Sequence, residues 1–275
     1  MPELPEVETI RRQLEKEIVG KRITSVDVFF AKRLNMTVGK FRKMIVGHRI
    51  RSVRRRAKMI LIDLSGGQTM AVHLKMTGKL LFVDGPTERN KHSHITFCLS
   101  GGKTLIFNDV RKFGWIRLLE TDMLKEKLFR PMKLGPEPFS RGFTVETLTR
   151  CLRSHDRAAL KPLIMSQRCV VGVGNIYTDE VLWRARVKPD RKAGTLTVKE
   201  IEALHKEIKS VLKDAIKRRG SSVDDYVDAY GKPGTYGLKH EVYGREGEKC
   251  ARCGGRIRKI RLGGRGTHFC PKCQR

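Results

Sequence analysis

A proline stands directly behind the initiator methionine, and a glutamate follows it: Met1-Pro2-Glu3-Leu4-Pro5-Glu6-Val7-Glu8. Removal of Met1 turns Pro2 into a free secondary amine. Such an amine attacks a sugar carbon or an aldehyde to give an iminium, which is cationic at every pH and serves as an electron sink. Glu3 is adjacent and can supply the proton a departing group needs. The reference pKa of an α-amino group is roughly 7.7–8 for a primary amine. A helix N-terminus and a nearby ammonium would lower it and leave more free base at neutral pH. Many chains begin Met-Pro and use the proline for nothing, so the remaining residues must carry the argument.

The far end of the chain holds a second chemical set. Cys250, Cys253, Cys270 and Cys273 read Cys-x2-Cys-x16-Cys-x2-Cys. Two such knuckles present four thiolates to one tetrahedral Zn²⁺. Four sulfurs close the shell, so the ion is structural. Disulfides are the competing use, and a reducing cytosol opposes them. Cys98, Cys151 and Cys169 fall singly in apolar stretches and are expected to be buried thiols.

Two further segments could handle phosphate. Val171-Gly172-Val173-Gly174-Asn175-Ile176-Tyr177 precedes a helix, with Asn175 as the expected N-cap. Its glycines allow close backbone approach and the helix start supplies free N–H groups. Tyr177 replaces the third glycine of a dinucleotide fingerprint, which argues against a Rossmann turn. The segment reads equally well as an ordinary helix corner. Arg54-Arg55-Arg56-Ala57-Lys58 joins two strand-like runs. It is either four exposed charges or a device that aims Lys58 at a groove beside the amine.

The elements that must position these groups are legible in outline. Val7, Ile10, Leu14 and Ile18 recur at helical spacing, predicting a helix over 5–18 with Pro5 in its first turn. Short β-type runs follow at 23–30, 49–54, 59–64, 69–74, 79–83, 94–99, 104–107 and 115–119, an antiparallel sandwich or barrel. Leu134-Gly135-Pro136-Glu137-Pro138 breaks the chain. Helical patterns occupy 144–152, 156–166, 175–184 and 197–219, a Gly-rich and mobile loop 220–240, and a hairpin the cysteine region. The expected class is α+β: an N-terminal antiparallel β-sandwich with a flanking helix, then a mainly α domain ending in a zinc-finger β-hairpin. The expected divisions are 1–134, a hinge at 135–140, 141–240 with a mobile loop at 220–238, and 241–275.

Charge narrows the partner. The 275 residues hold 58 Lys and Arg against 29 Asp and Glu, a net charge of +29. Eleven of the basic residues fall in 31–62 and nine in 249–275, with no acid in either run. A 39% hydrophobic fraction excludes a disordered polycation. The reading is a polyanionic partner held in a basic groove. No run approaches 18 apolar residues and no signal-peptide core follows Met1, so neither membrane nor export is expected.

Seven pieces in one order resemble the formamidopyrimidine-DNA glycosylases along essentially the whole chain. They are Pro2 to Glu8, Arg55-Arg56-Ala57-Lys58, His73-Leu74-Lys75-Met76-Thr77-Gly78, Asp109-Val110-Arg111-Lys112-Phe113-Gly114, Leu134 to Pro138, Gly172 to Tyr177 and the four-cysteine finger. The resemblance implies a β-sandwich domain and a helix–two-turn–helix domain with a zinc finger, damaged duplex DNA lying in the cleft between them. It implies a monomer in the bacterial cytoplasm, associated with the nucleoid when bound to DNA. Pro2 then matches the nucleophile, Glu3 the assisting acid, Lys58 a proton-transfer and phosphate-contact residue, and Arg265 an arginine that grips phosphate and assists a second elimination. His73, His92, Lys161, Asn175 and Tyr243 match DNA contacts. Met76, Arg111 and Phe113 match the side chains that fill the gap left by an extruded base, Arg111 also reading the orphaned cytosine. From the residue pattern alone, Met76 and Phe113 fit core positions better.

The implied chemistry is coherent. A base inside the stack cannot be reached, so the nucleotide is flipped at a cost of a few kcal/mol, part of it recovered by the wedges. Attack at C1′ expels the base, and the iminium then drives β- and δ-elimination. The phosphates leave by elimination and need no Mg²⁺ or redox cofactor. The implied substrates are oxidised purines, 8-oxoguanine and formamidopyrimidines. The resemblance also implies that the 220–238 loop recognises the flipped purine, and Asp224-Asp225 puts two acids there. Two rivals stay open: an endonuclease VIII-type glycosylase for oxidised pyrimidines, against which Leu4 argues, and a non-catalytic zinc-finger nucleic-acid binder, which the charge and finger fit equally well.

Overall fold

The computed structural model describes residues 1–85, 90–223 and 225–275; Asp224, one of the two acids singled out in the Gly-rich loop, lies outside them. The chain divides into two compact units, one of residues 1–131 with 218–235, the other of 132–217 with 236–275.

The first unit opens with α1 (Leu4–Ile18). Leu4, Val7, Ile10, Leu14 and Ile18 form its buried stripe, at the three- and four-residue spacing that a helix face requires. Two antiparallel four-stranded sheets follow. One runs β1 (Ile23–Val28), β6 (Ser93–Leu99), β7 (Lys103–Asp109), β5 (Gly78–Asp84) across the sheet, and the other β2 (Ile50–Arg56), β3 (Met59–Leu64), β4 (Gln68–His73), β8 (Trp115–Glu120). Residues of both sheets and of α1 share one core, including Val53, Ile60, Ile62, Val72, Phe97 and Phe107. Truncating one such side chain to Ala costs about 2–5 kcal/mol. A helix absent from the sequence expectations, α2 (Val38–Ile45), buries Phe41 and Ile45 in this core. Its apolar residues are too few to stand out among Lys40, Arg42 and Lys43.

The second unit holds α3 (Val145–Ser154), α4 (Leu160–Met165), α5 (Asn175–Arg184), α6 (Val198–Lys217) and the hairpin of β9 (Arg258–Leu262) with β10 (Arg265–Phe269). Gly263 and Gly264 turn that hairpin, both at positive φ (57° and 75°), as a tight two-residue turn demands. The α+β class and the finger hairpin agree with the sequence expectations.

Four expectations need correction. Helix α4 starts at Leu160, not 156, because Ala159 is extended and bridged to Lys192. Asn175 is the first helical residue of α5, and Gly174 is its N-cap. Residues 220–235, most of the loop expected at 220–238 in the helical domain, group with the first unit. There Ser221 N donates to Glu6 Oε1 (2.8 Å), Ala229 N to Gln13 Oε1 (2.9 Å) and Phe82 N to Ala229 O (2.8 Å). Cys151 and Cys169 are not separate thiols: they are joined as a disulfide, with Cα atoms 5.4 Å apart. Cys98 is half-buried and free.

Candidate active site

Pro2 and Glu3 are both buried at the start of α1. Glu6 fixes them: its Oε2 accepts Glu3 N (2.7 Å) in a reciprocal capping box, while its Oε1 accepts Ser221 N. One carboxylate thus ties the chemical end of the chain to the Gly-rich segment. Glu8, one turn on, binds Arg55 Nε (3.0 Å), and Arg55 Nη1 reaches Ala57 O (2.9 Å). Burial alone would raise Glu8, but Arg12, Arg11 and Arg55 hold it below the usual carboxylate range. This chain of contacts fastens α1 to the two-residue turn at Ala57–Lys58, between β2 and β3. Ala57 is left-handed (φ 53°), and Lys58 is buried. The basic run at 54–58 is therefore not four exposed charges: Arg55 is ion-paired and nearly buried, and Arg54 pairs with Asp63.

His73 ends β4, directly opposite Met59 in the neighbouring strand. Burial, then the Lys75 and Lys58 ammonium groups, push its imidazole down to about 3. It is neutral at pH 7. Nδ1 accepts Lys75 N (3.0 Å), which puts the ring proton on Nε2 as a donor suited to a phosphate oxygen. Between pH 3 and the ordinary value of 6.5 the unfolded chain binds this proton and the folded chain does not, so stability falls as pH drops through that window. His240, pushed down to about 4 chiefly by burial, acts in the same direction. The His73 ring signals are expected to stay flat from about pH 8 to 5 in an NMR titration; an inflection near 6.5 would contradict this environment.

Met76, Arg111 and Phe113 come together at the surface. Arg111 Nη1 lies 3.2 Å from Met76 Sδ and its guanidinium 5.1 Å from the Phe113 ring centre. Phe113 is 44% exposed and Met76 half-buried, so neither is core. Sequence reasoning missed the residue that organises them. Asp109 is fully buried; Oδ1 accepts Thr77 Oγ1 (2.5 Å) and Arg111 N (3.2 Å), and Oδ2 accepts Gly114 N (2.7 Å). It clamps the turns that carry Met76 and Phe113, and Asp109 N donates to His92 O (3.0 Å), drawing half-buried His92 to the same place. Lys75 (φ 55°) and Lys112 (φ 58°) are left-handed in those turns, a strain that concentrates at functional loops. Asp109→Asn replaces an acceptor with a donor facing Gly114 N–H, at about 1–3 kcal/mol. If Arg111 reads the orphaned base, as the resemblance implies, a fall of roughly tenfold in discrimination between opposite bases is expected. An unchanged ratio of excision rates would remove Asp109 from this role.

The second unit gathers its own set. Asn175 Nδ2 lies 3.5 Å from Tyr243 Oη, and the buried Oδ1 has no partner among the described residues. Buried Glu180 accepts the N–H groups of Glu241, Val242 and Tyr243 (2.9, 3.1 and 2.9 Å) and so pins Tyr243; no local pattern announced it. Arg265 is exposed at the start of β10. Lys161 departs from its expected role. It is fully buried, with Nζ 2.6 Å from Asp179 Oδ1 and 3.1 Å from Gly266 O, and cannot touch DNA where it stands. Asp179 Oδ2 accepts His268 N (2.9 Å). The pair joins α4 and α5 to β10, setting Asn175 and Arg265 in one frame.

Cys250, Cys253, Cys270 and Cys273 converge, their sulfurs all within 4.8 Å of one another. The pairs Cys250–Cys273 and Cys253–Cys270 are 3.8 and 3.5 Å apart, spacings that suit four corners around one ion. Trp183 Nε1 donates to Cys250 Sγ at 3.3 Å, a hydrogen bond that orients the sulfur and favours its thiolate. The donor set fits one structural Zn²⁺.

Comparison with known proteins returns one answer. Family models described as the formamidopyrimidine-DNA glycosylase N-terminal domain, the H2TH domain of the same glycosylase and a zinc finger found in FPG and IleRS match residues 1–116, 134–227 and 247–275. Formamidopyrimidine-DNA glycosylases of Pelotomaculum thermopropionicum and Streptococcus pneumoniae are 44% and 42% identical, over 100% of this chain and 99% of theirs. A Lactococcus lactis FPG mutant bound to Fapy-dG-containing DNA superposes with a TM-score of 0.94 at 39% identity, covering 100% of both chains. The Lactococcus lactis Fpg bound to abasic-site DNA gives 0.94 at 39% identity over 99% of each.

Proposed function

The chain belongs to the formamidopyrimidine-DNA glycosylase family and is a base-excision DNA glycosylase and AP lyase, and from that premise we propose that Pro2, freed by loss of Met1, is its nucleophile. The substrate is duplex DNA carrying oxidised purines, 8-oxoguanine or formamidopyrimidines. The endonuclease VIII-type reading and the non-catalytic binder drop out, since full-length relatives carry the glycosylase name. No helix among the described residues is long and apolar enough to cross a membrane. The working form is a monomer in the cytoplasm, on the nucleoid when DNA is bound.

The single observation that carries the catalytic assignment is the buried Pro2-Glu3 pair, locked by Glu6 at the head of α1 and tied through Glu8 and Arg55 to the Lys58 turn. The positive end of the α1 dipole and the Lys58 ammonium favour an uncharged Pro2 nitrogen, the form that attacks. The nitrogen bonds to C1′ and the base leaves with the glycosidic electron pair. Glu3 protonates the ring oxygen as the sugar opens, and the iminium forms. Loss of a C2′ proton expels the 3′ phosphate; loss of a C4′ proton expels the 5′ phosphate. Hydrolysis of the remaining iminium regenerates the amine. Met76 and Phe113 enter the vacated stack, and Arg111 faces the orphaned cytosine. His73, His92, Asn175, Tyr243 and Arg265 hold phosphates, Arg265 also assisting the second elimination; Lys161 positions rather than contacts. Cys250, Cys253, Cys270 and Cys273 would hold one structural Zn²⁺ and so fix the hairpin that carries Arg265.

Glu3→Gln tests the acid role. Single-turnover excision of 8-oxoguanine opposite cytosine is expected to slow by about 10²–10⁴-fold with affinity for an abasic-analogue duplex retained. Unchanged excision would remove Glu3 from proton transfer.

A further inference from the structure

The Cys151–Cys169 crosslink belongs to neither the catalytic set nor the finger. It joins the last turn of α3 to the stretch that leads into α5, six positions before Asn175. That stretch is already ordered. Gln167 Nε2 donates to Val173 O (2.7 Å), Gly172 N to Gln167 Oε1 (2.7 Å) and Val171 N to Pro136 O (3.1 Å). Gly135 packs so close that a Cβ there would lie 2.0 Å from Arg168 O. The disulfide therefore anchors a preformed loop to a helix. A third group completes the cluster: an imidazole nitrogen of His155 and both sulfurs lie within 4.8 Å of one another. Cys169 is buried, whereas Cys151 and His155 are partly exposed, so an incoming thiol meets Cys151 first.

We propose that Cys151, Cys169 and His155 form a reversible thiol–disulfide site, addressed by small thiols and disulfides, that sets how firmly the Asn175 turn is held. The thiolate of a small dithiol bonds to Cys151 Sγ, the Cys151–Cys169 bond breaks, and its electron pair leaves on Cys169 Sγ, which takes a proton. The second sulfur of the reductant then displaces Cys151 as a thiol and departs in a cyclic disulfide. Two electrons and two protons have passed to the protein. In reverse, Cys151 thiolate attacks a small disulfide and expels one thiolate; Cys169 then displaces the other. The end of α3 is the negative end of its dipole and does not itself favour a thiolate. His155 Nδ1 lies 3.0 Å from both Cys151 O and Ser154 Oγ, contacts that set its ring beside the two sulfurs. The thiol chemistry stands on this geometry; its effect on DNA rests on the proposed phosphate contact of Asn175.

The test uses the full zinc-loaded chain, equilibrated with dithiothreitol or with oxidised glutathione, zinc content checked in both. Peptide mapping without reduction should find Cys151 linked to Cys169 only in the oxidised sample. The reduced chain should lose roughly 5–15 °C in Tm, since the bridge closes a short loop in the unfolded state. It should release an abasic-analogue duplex about fivefold faster or more. Cys151→Ser and Cys169→Ser variants should not respond to either treatment. An absent crosslink, or a second zinc ion bound on reduction and lost in Cys151→Ser, would overturn the proposal, the latter in favour of a metal site. A crosslink that leaves DNA release unchanged also overturns it. Asn175→Ala then locates the fault: faster release means the bridge does not reach the turn, and unchanged release means Asn175 is not a phosphate contact.

Discussion

A preparation that keeps Met1 is expected to form no covalent intermediate with lesion DNA. With Met1 attached, the Pro2 nitrogen is a tertiary amide whose lone pair is delocalised into the carbonyl. It can neither attack C1′ nor form an iminium. Excision through the covalent route should fall by at least about 10³-fold, because nucleophile loss is the most damaging change available to a covalent catalyst. DNA affinity should survive, since Lys58, His73 and the basic surface are untouched. Intact mass identifies the two forms, and borohydride trapping on an 8-oxoguanine duplex compares them. Equal trapping by both would place the nucleophile elsewhere.

Cys250→Ser is the second large effect. Four thiolates around one ion supply about 10–16 kcal/mol of apparent binding free energy in small zinc domains, most of which is folding free energy. Removing one sulfur should release the ion and unfold β9 and β10. Arg265 then loses its strand, and the Lys161–Asp179 pair loses its contacts to Gly266 O and His268 N. Affinity for abasic-analogue duplex is expected to drop by about 10²-fold or more, as several phosphate contacts go together. Trp183, hydrogen-bonded to Cys250 Sγ and stacked 4.0 Å under the Arg252 guanidinium, reports the change by fluorescence. Normal affinity in a variant with no bound zinc would show that the metal does not hold the interface.

Much of this was legible in the chain itself. The Pro2-Glu3 start, the Cys-x2-Cys pairs and the helical stripe of α1 are local signals that need no partner to be read. Register-dependent features were not. Met76 and Phe113 have apolar side chains and pattern as core; only the Asp109 clamp, spanning residues 77 to 114, shows that their turns are held outward. Lys161 looked like a DNA-facing cation because its counterion, Asp179, lies 18 positions away. Cys151 and Cys169, also 18 apart, became a pair only through the packing of α3. Glu180 and the docked 218–235 segment depend on backbone N–H groups, which sequence does not display. Helix α2 escaped notice because it buries just Phe41 and Ile45 within a basic run.

The most direct measurement is the position of the bond to DNA. A conjugate of the Met1-free chain with 8-oxoguanine duplex, reduced by borohydride and digested, should carry the sugar remnant on the N-terminal Pro2 peptide by tandem mass spectrometry. A remnant on Lys58, or on any other lysine, would contradict the account at its root.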